Sequence, residues 1–414
     1  MTQDIIEPDK VAKVQSPWLS IIGIGEDGIA GLSPAARILI EQARLIIGGA
    51  RHLALIGDIS AEQIIWPSPL IDALPALLAR RGEPVVVLAS GDPFYFGVGD
   101  LLSRHIPKTE IFCLPAPSAF TLAAARMKWS QQDCACISLH GRAFERIIPH
   151  LQQRARIIAL SWDESTPPRL AHYLTANAMG SSYIHVLEHM GGADEKIRSI
   201  RARDFNLDHI AALNTLAVEI EAETQARLIP RVPGLSDDWF ENDGQITKRD
   251  IRALTLSALS PRRGELLWDI GAGSGSISIE WMLNDPANRA IAIEKHTDRC
   301  ARIARNALTL GAPDLSVVAG EAPQCLEGLE QPDAIFIGGG CNEATLNTAW
   351  AALPGHGRIV INAVTIETQA LLSQIYTQKG GELVQINISH AREIGRFHGL
   401  EPSMTLLQWR GNKS

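Results

Sequence analysis

An apolar run, Leu266–Ile270, leads without a spacer into Gly271-Ala272-Gly273-Ser274-Gly275, and a helical segment over 276–283 follows at once. Glycines let a backbone turn sharply and approach a ligand closely, and the first turn of a helix offers free N–H donors. The next apolar strand ends in Glu294, 19 residues after Gly275. A carboxylate there can accept both ribose hydroxyls of an adenosine ligand. The spacing separates two ligand classes. A dinucleotide fingerprint reads GxGxxG, because a pyrophosphate must rest on the helix N-terminus. Here the string is D-x-G-x-G-x-G, led by Asp269, with Ser276 where the last glycine would fall. A tight strand–helix turn explains the glycines alone; Glu294 in register turns the string into a binding site.

This string resembles the first motif of class I methyltransferases, in which the acid ending the second strand holds the ribose of S-adenosylmethionine. The resemblance implies cofactor contacts from Gly271, Ala272, Gly273, Ser274, Gly275 and Glu294. Gly320-Glu321-Ala322-Pro323 falls where that family contacts the adenine, which adds Ala322. The run from Asp333 to Gly340 falls where the fourth strand reaches the site. Upstream, in Asp243-Gly244-Gln245-Ile246-Thr247-Lys248-Arg249-Asp250, Thr247 and Asp250 form a T-x-x-D capping arrangement for a helix over 248–259. The same string resembles the segment that opens decarboxylating precorrin methyltransferase domains, whose threonine lies against the cofactor. Capping and cofactor contact both stand as readings of Thr247.

The N-terminal half contains a GxGxxG match, Gly23 to Gly28, but the next strand ends Ile46-Ile47-Gly48-Gly49 with no acid for a ribose. A dinucleotide reading is therefore rejected. Ala89-Ser90-Gly91-Asp92-Pro93 follows a very apolar strand; Pro115-Ala116-Pro117-Ser118-Ala119 and Ser138-Leu139-His140-Gly141-Arg142 lie downstream. Together these resemble the tetrapyrrole methylase family, whose G-D-P loop and P-x-x-S segment line an S-adenosylmethionine cleft between two α/β subdomains. The resemblance implies cofactor contacts from Gly91, Asp92, Ser118 and Ala119. His140 is either a general base or a strand cap that orients its loop. Arg142, with Arg51 and His52, suits substrate carboxylates.

The order of the two domains resembles the decarboxylating precorrin C5,15-methyltransferase family of cobalamin biosynthesis. That resemblance implies one S-adenosylmethionine per domain. It also implies methylation of a precorrin at C5 by the N-terminal domain and at C15 by the C-terminal one, with loss of the C12 acetate carboxyl. Such a macrocycle is a polyacid, whereas this chain carries a net charge of −8. Local cations must therefore bind it. Lys248, Arg249 and Arg252 form one candidate cluster, and Arg392, Arg396 and His398 another, although such clusters are also ordinary solvated faces. Arginine forks match carboxylates. Glu321 and Asp333 are candidate proton donors. An RNA methyltransferase with two cofactor domains is the alternative; the acidic balance argues against nucleic acid as a partner.

These residues need strand ends to hold them. Apolar runs predict N-terminal strands over 18–24, 45–48, 85–89, 110–114, 137–139, 157–160, 183–187 and 215–220, and C-terminal strands over 265–270, 289–294, 315–318, 333–338, 358–362, 382–389 and 404–409. The stretch 221–238 breaks the pattern with charge, Pro230, Pro233 and Gly234. The expected architecture is α/β throughout: a two-subdomain tetrapyrrole methylase fold over 17–222, a linker over 223–234, and a Rossmann-like seven-stranded class I methyltransferase fold over 235–414. Six scattered cysteines, histidines without ligand spacing, and no apolar run of 18 residues predict a cytoplasmic enzyme with no metal and no membrane span. A homo-oligomer is expected. The first twenty residues hold acids and lack a signal-peptide core.

Overall fold

The computed structural model describes residues 17–413, so most of the polar N-terminal stretch lies outside the described residues. The chain divides into two compact units. The first runs up to Arg142 and resumes over Gln153–Arg227; the second takes Ala143–Gln152 and everything from Leu228 onward. The short excursion was not anticipated. It is held by Gln152, whose Nε2 donates to the Ile229 carbonyl at 2.8 Å, and by an ion pair of Arg146 with Asp314.

In the first unit β1 (Leu19–Ile24), β2 (Leu45–Gly48), β3 (Glu62–Ile65), β4 (Val85–Ser90) and β5 (Ile111–Leu114) form an all-parallel sheet in the order β3-β2-β4-β1-β5. All six residues of β1 are buried. A central parallel strand is covered on both faces and so reads as a continuous apolar run. Side chains alternate across it: Leu19 and Ile21 join Val85 and Val87 in one core, Ile22 and Ile24 join Val86 and Leu88 in the other. The second sheet comprises β6 (Cys134–Ser138), β7 (Arg156–Leu160), β8 (Tyr183–Glu188), β9 (Lys196–Arg201) and β10 (Asn214–Glu219), ordered β6-β7-β10-β8-β9. Only its β6–β7 pair is parallel. The sequence misses β3 and β9, both edge strands, whose residues EQII and KIRSIR are mostly exposed.

The second unit has β11 (Leu266–Ile270), β12 (Arg289–Glu294), β13 (Ser316–Ala319), β14 (Ala334–Ile337), β15 (Arg358–Ala363), β16 (Glu382–Ile386), β17 (Ser389–Ile394), β18 (Phe397–Pro402) and β19 (Leu406–Asn412). Seven of them form one sheet, β13-β12-β11-β14-β15-β19-β16, in which β19 alone runs antiparallel to its neighbours. The predicted strand over 382–389 is corrected here: β16 stops at Ile386, and β17 and β18 form a separate hairpin. Strand order reverses at β11, with β12 on one side and β14 on the other. Such a switch point opens a crevice at the strands' carboxyl ends.

Among the described residues no helix is long and apolar enough to cross a membrane, and no group of three or more His, Cys, Asp or Glu could hold a metal ion.

Arg252, expected to face substrate, is fully buried in the helix Arg249–Leu259. Its Nε donates to Glu280 at 2.5 Å, its Nη1 to Asp237 at 3.1 Å and to the Thr247 carbonyl, and its Nη2 to the Leu235 carbonyl. Glu280 also accepts from Gly234 N and Leu235 N. This pair clamps the 234–247 segment onto the helix and is unavailable to a ligand. Burial alone pushes the Glu280 pKa up, and the Arg252 charge opposes it. Removing one partner strands the other charge in the core. Arg252→Met is therefore expected to cost the second unit about 3–5 kcal/mol in urea unfolding, and Arg252→Met with Glu280→Leu is expected to recover most of that loss.

Candidate functional site

A cavity of about 570 Å³ opens at the switch point of the second unit. Gly271, Ala272, Gly273, Glu294, Ala322 and Thr247 line it. Lys248, Asp250, Asn362 and His390, with the apolar Ile251, Ile388 and Leu406, complete the lining. Gly271 and Gly273 have φ of +74° and +62°, and a β-carbon on them would lie 2.6 Å from the Gly339 carbonyl oxygen and 2.7 Å from that of Gln245. No other residue fits there. Glu294 is 4% exposed; one carboxylate oxygen accepts from Gly273 N at 2.9 Å and the other from His296 N at 3.1 Å. Each oxygen keeps a further lone pair for a hydroxyl donor.

Not every residue of the glycine string faces the cavity. Ser274 is fully buried, its carbonyl accepting from Asn306 at 2.9 Å, and Gly275 makes room for Ile303. Both shape the turn and do not line the cavity. Asp333 is corrected more sharply. It precedes β14, at the opposite end of the sheet from the cavity, where its Oδ2 accepts from Leu266 N at 2.8 Å and its carbonyl from Arg358 N. A proton donor cannot act from there. Glu321 does line the cavity, exposed and 3.6 Å from Lys295. Arg249 turns away from the cavity to the Gly234 carbonyl, and Arg396 sits exposed in the turn between β17 and β18. His390 enters the site unannounced, because its place depends on that hairpin. Its Nε2 lies 3.4 Å from Asp250 Oδ2.

In the first unit, Gly91 has φ +55° and its carbonyl accepts from Ala116 N at 3.0 Å, locking the two predicted loops together by their backbones. Asp92 accepts the Phe94 N–H at 2.9 Å, which shapes its own loop. Ser118 caps the helix Ala119–Met127 by accepting from Thr121 N. Beside them Arg51 pairs with Glu26, which also meets His189 at 3.0 Å. Arg51 Nη2 and His52 Nε2 both lie 2.8 Å from Ser90 Oγ. Burial, reinforced by the Arg51 charge, drops the His52 pKa to about 4. The neutral ring accepts from Gly49 N through Nδ1, which puts its proton on Nε2, facing Ser90. Arg51 and His52 thus form a structural network, with their expected carboxylate-binding capacity largely taken up. His140 is exposed, its ring 6.1 Å from that of Trp162, and the Arg142 guanidinium lies over the Phe96 ring at 5.2 Å.

Residues 19–205 match the Tetrapyrrole (Corrin/Porphyrin) Methylases family, and residues 238–413 the Precorrin methyltransferase domain family. The chain is 50% identical over 402 residues to the precorrin-6Y C(5,15)-methyltransferase (decarboxylating) of Sinorhizobium sp, covering 97% of each. It is 30% identical over 194 residues to the cobalt-precorrin-7 C(5)-methyltransferase of Salmonella typhimurium, 46% of this chain and 94% of that one. It is 38% identical over 144 residues to the probable cobalt-precorrin-6B C(15)-methyltransferase (decarboxylating) of Saccharolobus solfataricus, 33% of this chain and 72% of that one.

Asp269, which leads the glycine string, is 1% exposed. Its Oδ2 accepts from Ser278 N at 3.1 Å and Ser278 Oγ at 2.6 Å, whereas Oδ1 has no protein partner. Burial, with the Glu294 charge nearby, pushes its pKa from 3.8 to about 6. The folded state then holds this proton more tightly than the unfolded chain, so the contribution to stability is present at low pH and lost as pH rises from about 4 through 6. Two units correspond to about 2–3 kcal/mol. Asp269→Asn is expected to raise the unfolding free energy of the second unit by about that amount at pH 8, with the gap shrinking as pH falls toward 4.

Proposed function

The chain belongs to the precorrin-6Y C5,15-methyltransferase (decarboxylating) family, and from that membership we propose that it methylates a precorrin at C5 and C15 with S-adenosylmethionine and removes the carboxyl of the C12 acetate, taking precorrin-6B to precorrin-8. The observation that carries this reading is the cavity of the second unit, whose lining joins a glycine loop and the Glu294 carboxylate to Lys248 and His390. The relatives that act at C5 and at C15 each match less than half of this chain. That supports a division of labour: C5 methylation in the first domain (17–222), C15 methylation and decarboxylation in the second (235–414). The 223–234 stretch is then their linker.

The cofactor fits the residues present. Gly271 and Gly273 leave a bare backbone surface, Glu294 would accept the two ribose hydroxyls, and Thr247 and Ala322 would flank the cofactor. When bound, S-adenosylmethionine supplies a methyl group whose departure leaves a neutral thioether. The protein's work is then to hold the acceptor carbon in line and keep water out, an effect of about 7–11 kcal/mol in well-oriented systems. Gly91, Asp92, Ser118 and Ala119 frame the corresponding place in the first unit, chiefly through backbone groups. We assign one cofactor to each domain, a cytoplasmic setting and a homo-oligomer as parts of the same reading.

Decarboxylation breaks the bond between the acetate methylene and its carboxylate. Carbon dioxide leaves, the electron pair passes into the conjugated ring, and a proton must then reach the methylene carbon to make a methyl group. His390, beside Asp250 on the cavity wall, is positioned to deliver it.

Equilibrium dialysis with labelled S-adenosylmethionine is expected to give two sites per chain, and Glu294→Ala to leave one; a single site in the unaltered chain would overturn the reading. His390→Gln is expected to slow decarboxylation by about 10²–10⁴-fold while C15 methylation persists. Equal rates of carbon dioxide release from the variant and the unaltered chain would remove His390 from the mechanism.

A further inference from the structure

The loop after β4 carries three consecutive aromatic residues, Phe94, Tyr95 and Phe96, which are 50%, 37% and 43% exposed. Phe96 has φ +59°, a left-handed backbone that a bulky residue holds only when its surroundings force it. The surroundings can be named. Tyr95 packs its ring 4.8 Å from that of buried Phe120. One residue later the reversed chain sets the Phe96 ring against Tyr95 and Phe120, at 5.1 and 5.5 Å, with much of its surface still open.

Arg142 comes from the loop after β6, so its contact with Phe96 joins the two subdomains of the first unit. A guanidinium lying over a ring keeps its in-plane N–H donors free for a fork-shaped acceptor. Among the described residues no carboxylate pairs with Arg142. In a chain whose acids outnumber its basic residues by eight, an unmatched arginine on a strained aromatic perch is unusual company. The aromatic loop follows Asp92 directly, and Asp92 shapes it by accepting the Phe94 N–H. A flat, conjugated polyacid satisfies both at once, since its face covers the rings while a peripheral carboxylate takes the fork.

We propose that Phe94, Phe96 and Arg142 form the subsite of the first unit that receives the face and one carboxylate of the macrocycle. This rests on the function proposed above and adds the residues that select the ring.

The test uses the full chain and its precorrin substrate, with C5 and C15 methylation followed separately. Phe96→Gly is expected to raise the KM for C5 methylation at least tenfold, with the melting temperature unchanged or higher, because glycine accepts φ +59° without strain. Arg142→Ala is expected to do the same and Arg142→Lys to recover only part, as an ammonium lacks the fork; C15 methylation serves as the internal control. Unchanged KM values in Phe96→Gly and Arg142→Ala would overturn the subsite. So would a fall in melting temperature that accounts for the whole effect of Phe96→Gly, since that marks a packing role. If the unaltered chain transfers no methyl group to C5, the proposed function falls and the subsite falls with it.

Discussion

A β-carbon on Gly23 would overlap the carbonyl oxygen of Gly91, and one on Gly271 would lie 2.6 Å from that of Gly339. In the first unit the end of β1 meets the loop after β4, and in the second the loops after β11 and β14 meet, backbone to backbone with no room for a side chain. The binding surfaces depend on this approach. It brings Gly91 within hydrogen-bond reach of Ala116 in the first unit, and in the second it leaves bare backbone of Gly271 and Gly339 in the cavity lining that includes Glu294. Two different sheets, one five-stranded and one seven-stranded, meet the same requirement: polar main chain must face a ligand while apolar strands stay buried beneath it.

Charge is arranged around these loops in closed pairs. Asp243 is held well below the usual carboxylate range by Arg299 and Arg302, and the ties fasten the segment that carries Gln245 against Gly273. Glu241 is pinned by Arg305 in the same stretch. Arg252 and Glu280 perform the task from within the core. An acidic chain can still present cations to a polyanion, provided that most of its arginines are occupied internally and a few, such as Arg142, are not.

How much of this was legible in the sequence follows from burial. β1, β4 and β11 announce themselves because strands covered on both faces are mostly apolar, and the glycine string with Glu294 is legible because backbone geometry and spacing fix it. The edge strands β3 and β9 carry polar residues and leave no such trace. Arg252 and Asp333 look like site residues because a charge near a motif has no direction in one dimension; the fold sends one into the core and the other to the far end of its strand. Ser274 and Gly275 belong to the motif but turn their backs on the cavity. His390 is invisible for another reason: only the hairpin of β17 and β18 brings it to the wall.

The placement of β19 has a consequence for how the second unit comes into being. β16 touches the sheet only through β19, which enters between it and β15, and Leu406 at the start of β19 faces the cavity alongside Ile386 and Ile388. During synthesis β16 emerges from the ribosome before β19, the strand it pairs with, whereas β17 and β18 pair with each other. The glycine loop can assemble early, from strands already made, but the part of the lining that Ile386 and Leu406 supply waits for β19. The lining of this chamber is therefore complete only once β19 has entered between β15 and β16.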